Sequence, residues 1–251
     1  MGFVKTLTAM SLTALLGATQ FAEAEMIKNI VLVHGAFADG SSWADVTERL
    51  QKKGFHVTAV QNPLTSLKDD VQATKRVLAR QHGDVLLVGH SWGGAVVTQA
   101  GNDARVRGIV YLSALAPDAG ESVSALLTRF GAPMQGMSPD KDGLIWLDNP
   151  SDFQHVMAGD VSEEKVKVLT ASQQPVAAAA FNEPVKQAAW REKPSWYLMT
   201  TDDHALPYPV QKKIVAMTGS VTEKIGSSHM SMISHPAKVA AFIERAAGSF
   251  H

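Results

Sequence analysis

Short, fully apolar runs alternate with amphipathic stretches along most of this chain. Residues 29–34 (NIVLVH) are apolar on both faces, as a buried strand requires, whereas residues 43–53 space their apolar positions for one helical face. Gly54 closes that helix, and a second strand follows at 55–60. Leu67, Val71, Thr74, Val77 and Leu78 recur at helical spacing over 67–81, and Gly83 stops the helix before a strand at 85–88. A helix from 91 to about 101 and a strand at 108–112 continue the order. Buried strands separated by helices predict an α/β fold: a mostly parallel sheet flanked by helices on both faces.

The rhythm breaks after Ala116-Pro117-Asp118. Pro, Gly, Met and Gln are frequent from there to about Pro194 and no strong period-2 run occurs, so residues 120–193 are expected to be a helical cap inserted into the sheet. The α/β order then resumes with a strand at 195–200, a helix at 209–217, a strand at 220–225 and a final helix from 236 to about 247.

Composition narrows the possibilities. A length of 251 residues fits one domain with a modest insertion, and 45% hydrophobic against 19% charged residues excludes a disordered chain. Lys and Arg number 23 against 24 Asp and Glu, with no basic stretch carrying interleaved aromatics, so nucleic acid is not an expected partner. The absence of cysteine rules out disulfides, a thiol nucleophile and thiolate metal sites. At the start, Lys5 precedes the apolar run 7–16 and then Ala22-Glu23-Ala24, so residues 1–24 read as a secretory signal peptide and 25–251 as the mature domain. The apolar run is shorter than the roughly 20 residues of a membrane span. A periplasmic or secreted protein without stable membrane insertion after cleavage is expected.

The strongest chemical signal is Gly89-His90-Ser91-Trp92-Gly93, a G-x-S-x-G motif set directly between a strand and a helix. A sharp turn there needs glycine on both sides of the serine and lifts its Oγ above the sheet edge, where the helix N-terminus favours developing negative charge. Ser91 is therefore the expected nucleophile. Val33-His34-Gly35-Ala36-Phe37 follows the first strand and suits an oxyanion loop, with the Ala36 and Trp92 N–H groups as donors. The base is expected after the last strand, where Gly226-Ser227-Ser228-His229 makes His229 the candidate over His235, which precedes the final helix. His34 is expected to have a structural, hydrogen-bonded role and His90 to pack around the turn. The acid belongs between serine and histidine in the chain, which leaves Asp202, Asp203 and Asp118 open. No metal-ligand spacing, P-loop or dinucleotide fingerprint occurs, so neither a metal nor an organic cofactor is expected.

These motifs, together with Thr201-Asp202-Asp203-His204-Ala205-Leu206-Pro207 and Ser228-His229-Met230, resemble the α/β-hydrolases related to plant methyl-salicylate esterases and hydroxynitrile lyases, with their small bacterial relatives. The resemblance covers nearly all the chain after residue 24. It implies that the aspartate four residues before the proline, Asp203, is the acid. Lyases of that family have Thr after the oxyanion-loop His and Lys after the catalytic His; Gly35 and Met230 stand here, which favours the esterase branch.

The resulting expectation is a serine esterase with the triad Ser91, Asp203 and His229, acting on small to medium esters. Leu126, Phe130, Trp146, Phe153 and Phe181 of the cap are the candidates for an apolar acyl or alcohol pocket, with some of them expected to be ordinary core. Two alternatives use the same fold: a slow-turnover small-ligand sensor, and a C–C or hydroxynitrile lyase.

Overall fold

The computed structural model describes residues 1–2, 26–134 and 137–250, so the proposed signal peptide falls almost wholly outside the described residues. In chain order come β1 (Asn29–Val33), a 3-10 turn (Gly40–Trp43) running into α1 (Ala44–Lys52), β2 (His56–Val60), α2 (Leu67–Leu78), β3 (Val85–His90), α3 (Gly93–Ala100) and β4 (Val106–Leu112). The cap carries α4 (Val123–Arg129), β5 (Leu144–Ile145), α5 (Pro150–Met157), α6 (Glu163–Ser172) and β6 (Val176–Ala177). The chain closes with β7 (Ser195–Thr200), α7 (Tyr208–Thr218), β8 (Val221–Ile225), α8 (Ser231–Ser234) and α9 (Pro236–Ala247).

Six strands form one parallel sheet in the order β2-β1-β3-β4-β7-β8. All six residues of β3 and of β7 are buried, as their unbroken apolar runs require. The chain leaves β1 toward one edge and β3 toward the other, so the order reverses between these two neighbours. Crevices at the carboxyl ends of strands, at such a reversal, are where open parallel sheets bind ligands. The loop after β1 carries Ala36, and the turn after β3 carries Ser91.

Helix starts follow local chemistry. Ser66 accepts the Asp69 N–H ahead of α2, and Asn149 accepts from Ser151 and Asp152 with Pro150 in the first turn of α5. Helix α3 begins at Gly93, two residues later than its apolar pattern suggests, because Ser91 has φ of 52° and is not helical.

The cap departs from an all-helical insertion in one respect. Leu144 pairs with Ala177 and Ile145 with Val176 in an antiparallel ribbon. Two-residue strands are too short to display alternation, which is why the pattern does not reveal them. Among the described residues no helix is long and apolar enough to cross a membrane.

Candidate active site

The turn after β3 is built from glycine. A Cβ at Gly89 would lie 2.6 Å from Val97 Cγ2, and one at Gly93 would lie 2.5 Å from Val33 O. The chain therefore reverses against β1 and α3 with no room for side chains on either side of Ser91. Ser91 itself takes the left-handed φ, a conformation costing roughly 1–3 kcal/mol for a non-glycine residue. Its main chain is held by Ser91 N–H donating to Leu112 O and by Ser91 O accepting from Gly94 and Leu115.

The candidate oxyanion loop lies directly against this turn. A Cβ at Gly35 would be 2.7 Å from Ser91 Cβ, so contact at this distance is possible only without a side chain. Neither the Ala36 nor the Trp92 N–H has an acceptor among the described residues. His34 anchors the loop: its Nδ1–H donates to Gly35 O at 2.8 Å, and its Nε2 accepts the Asn62 N–H at 2.9 Å. Burial lowers the pKa of this ring, in keeping with a neutral tautomer.

Asp203 and His229 are joined by a buried 2.7 Å bond from His229 Nδ1–H to Asp203 Oδ2, with side-chain exposures of 0% and 1%. Thr200 Oγ1–H also donates to Oδ2 at 2.6 Å, and the Ala205 and Leu206 N–H groups donate to Oδ1 at 2.9 and 2.7 Å. Gln211 Nε2 lies 3.2 Å from Oδ2, and Gln211 also spans Thr200 N and O. This shell orients the carboxylate, which then fixes which nitrogen of His229 carries its proton. His229 Nε2 is buried and has no partner among the described residues. It is the nitrogen left to act as a base.

The His229 ring lies 4.6 Å from the ring of His90, the residue preceding Ser91. His90 Nε2–H donates to His229 O at 3.0 Å, and Ser113 Oγ–H reaches the same carbonyl at 3.3 Å. Burial, with His229 adding to it, holds the His90 pKa well below the ordinary histidine value, so this ring is a neutral donor. His90 therefore does more than pack around the turn, because it tethers the backbone of the candidate base.

The alternative residues lie elsewhere. Asp202 is exposed, with the Thr201 hydroxyl as its side-chain partner. Asp118 is paired with Arg191, Nε to Oδ1 at 2.6 Å. His235 faces Asp160 at 3.4 Å. Sequence patterns do not reveal Thr200, Gln211 and Ser113: Ser113 meets a partner 116 residues away, and Thr200 and Gln211 reach Asp203 through a loop with no periodic signal. The one local hint is Gln211, a polar residue between Val210 and Ile214 on the buried face of α7.

The cap residues divide. Phe153 and Leu126 are fully buried, and Phe181 packs edge-on to Trp92 at 5.0 Å. Trp146 is 45% exposed and bonded to Asp140, while Phe130 stacks under Arg129. A cavity of about 10 Å3, enough for a single water, lies between Phe37, Phe153, Leu169, Gln173 and Met230. A larger hollow of about 530 Å3 runs along Asn29, His56 and His82 at the opposite, amino ends of the strands and holds no candidate residue. Among the described residues, no cluster of three or more His, Asp or Glu side chains is placed to hold a metal ion.

A model described as the alpha/beta hydrolase family matches residues 30–242. An alpha/beta hydrolase from Aspergillus novofumigatus is 28% identical over 87% of this chain and 96% of its own. Salicylic acid-binding protein 2 from Nicotiana tabacum is 25% identical over 85% and 95%. Polyneuridine aldehyde esterase from Rauvolfia serpentina is 24% identical over 87% and 95%. A crystal structure of polyneuridine aldehyde esterase superposes with a TM-score of 0.76 at 20% identity, covering 87% of this chain and 98% of its own.

Proposed function

The chain belongs to the alpha/beta hydrolase family, and from that premise we propose that it is a serine esterase cleaving small to medium carboxylic esters through an acyl-enzyme. One observation carries the reading. A buried Asp203–His229 pair leaves Nε2 without a partner among the described residues, and its ring lies 4.6 Å from that of His90, the residue preceding a serine held at positive φ.

In this mechanism Ser91 Oγ attacks the ester carbonyl carbon as its proton passes to His229 Nε2. The Ala36 and Trp92 N–H groups receive the charge on the carbonyl oxygen. Asp203 holds the Nδ1 proton and stabilises the imidazolium. Collapse expels the alcohol, which takes its proton from His229, and water repeats the sequence to release the acid. No step calls for a metal or an organic cofactor.

The names of relatives as hydrolases and an esterase support ester cleavage over the alternatives. Against a lyase stands Gly35: in this backbone a threonine there would bring its Cβ to 2.7 Å from Ser91 Cβ. A lysine next to the base is also absent, since Met230 follows His229.

Hydrolysis of short-chain p-nitrophenyl esters, beside Ser91→Ala and mass spectrometry after a serine-reactive phosphonate, tests the reading. Turnover and labelling that both vanish in Ser91→Ala are expected. A wild-type protein that neither turns over nor labels refutes it, and Ser91-specific labelling without turnover favours the sensor. We further propose export to the periplasm or beyond with cleavage after Ala24, tested by the intact mass of the protein recovered outside the cytoplasm of its expressing cell.

A further inference from the structure

One buried carboxylate beside the turn takes no part in the mechanism above. Asp70, in the first turn of α2, is 0% exposed. Its Oδ2 accepts the Trp92 indole N–H at 2.7 Å and its Oδ1 accepts the Leu64 N–H at 2.8 Å. Among the described residues no cation is paired with it, and its charged neighbours are the acids Asp69 and Glu183. An unpaired buried carboxylate is costly, and a well-packed apolar residue in its place usually costs less.

Both partners of Asp70 are obligate donors, so the arrangement is built for the anion. Burial opposes it and pushes the carboxyl up to about 6, which leaves the group ionised at neutral pH. The two bonds also reach in informative directions. Trp92 follows the nucleophile, and its own backbone N–H is the candidate oxyanion donor, while its ring bears on Phe181 of the cap. Leu64 sits at φ of 57° and its carbonyl accepts the Ala177 N–H of β6.

We propose that Asp70 is a positioning residue for the oxyanion site, its carboxylate fixing the Trp92 indole and thereby the peptide N–H that follows the nucleophile. The inference rests on the serine-esterase reading. The side chain of Trp92 has no other hydrogen bond among the described residues, so this bond sets the rotation of the indole against the turn. A displacement of the Trp92 peptide by a fraction of an ångström weakens a contact that matters in the transition state and little in substrate binding.

The test compares hydrolysis of p-nitrophenyl acetate by the full chain and by Asp70→Asn, Trp92→Phe and the double variant. Trp92→Phe removes the same bond from the other side and keeps an aromatic ring, so it remains decisive if Asp70→Asn does not fold. Each single variant is expected to lose about tenfold or more in kcat with KM within about threefold, and the double variant to be no worse than the weaker single one, because one bond is being removed twice. A role in stability alone predicts lowered Tm with unchanged kcat. Wild-type kcat in folded Trp92→Phe, or losses that multiply in the double variant, overturns the proposal while leaving the serine-esterase reading intact. A wild-type chain that neither hydrolyses the ester nor labels at Ser91 overturns both.

Discussion

Asp203→Asn alters one atom and one charge at the centre of a five-bond shell, and its consequence follows from which donors are obligate. Oδ1 receives the Ala205 and Leu206 N–H groups, neither of which can turn away. The amide oxygen of asparagine therefore takes that place, and its NH2 falls where Oδ2 met His229 Nδ1, Thr200 Oγ1 and Gln211 Nε2. The Thr200 hydroxyl can rotate to accept. His229 can do so only by giving up its Nδ1 proton, which moves the proton to Nε2, the nitrogen that accepts from Ser91 in the proposed mechanism. The same exchange in a chymotrypsin-type triad costs about 10⁴-fold in kcat, or about 5.5 kcal/mol of barrier. Loss of the charged acceptor should lower stability by about 1–3 kcal/mol, so thermal melting is run alongside to establish that the variant is folded. Asp202→Asn is the control, since its exposed side chain meets only the Thr201 hydroxyl at 3.2 Å and surface changes of this kind stay within about 0.5 kcal/mol. Steady-state kinetics on p-nitrophenyl acetate reads both. Retention of more than a tenth of wild-type kcat in Asp203→Asn, or a loss beyond tenfold in Asp202→Asn, refutes the reasoning.

Other substitutions probe the rest of the site. Gly35→Ala places a methyl 2.7 Å from Ser91 Cβ, and overpacking of about 1–3 kcal/mol should fall on the oxyanion loop, reducing kcat at least tenfold in the same assay. His90→Phe keeps a ring beside Trp43 but removes the donor to His229 O, leaving Ser113 alone on that carbonyl; kcat is expected to fall about tenfold and stability by about 1–2 kcal/mol. Asp70 gives a pH signature in melting. Its folded pKa of about 6 lies above the unfolded value, so its favourable contribution is complete below the unfolded pKa and is lost as pH rises through about 6, by about 3 kcal/mol in all. The Tm of wild type minus that of Asp70→Asn should therefore shrink from pH 4 to pH 7; a constant difference sinks the assignment.

What the sequence made legible is what local geometry controls. The turn at Ser91 needs its glycines within two residues on either side, and the apolar runs of β1, β3 and β7 are long enough to declare themselves. Asp202 and Asp203 defeat the same approach. Both follow β7, and position alone does not say which turns inward to Thr200 and Gln211 and which to solvent; the choice of Asp203 came from a family pattern. Asp69 and Asp70 pose the same problem at the start of α2, where both suit a helix N-terminus. Only the fold separates Asp69, exposed and bonded to Thr65, from Asp70, enclosed under Trp92. In the cap the sequence does not say which aromatic residues are pocket and which are core, because an insertion without a regular period carries no signal for which side is inward; Trp146 bonds to Asp140 of its own loop.

The small cavity beside the oxyanion loop allows a statement about substrate size. Its walls include Phe37 and Met230, the chain neighbours of Ala36 and His229, though neither of those two residues nor Ser91 lines it. At about 10 Å3 it has room for one water and no acyl chain. If an acyl group enters this cavity, only a short one fits the space as it stands. Leu169, half-buried on α6, closes the cavity from the cap side, and Leu169→Ala should open it by several methylene volumes. If the cavity is the acyl subsite, kcat/KM for p-nitrophenyl butyrate relative to acetate should rise about tenfold or more, since each methylene accommodated in an apolar pocket is worth about 1–3 kcal/mol. If it is ordinary core, the ratio stays at the wild-type value while Tm falls as for any large-to-small replacement. The two outcomes separate a substrate-binding wall from packing, because stability reports the lost contacts in either case and only the chain-length preference reports what fills the space.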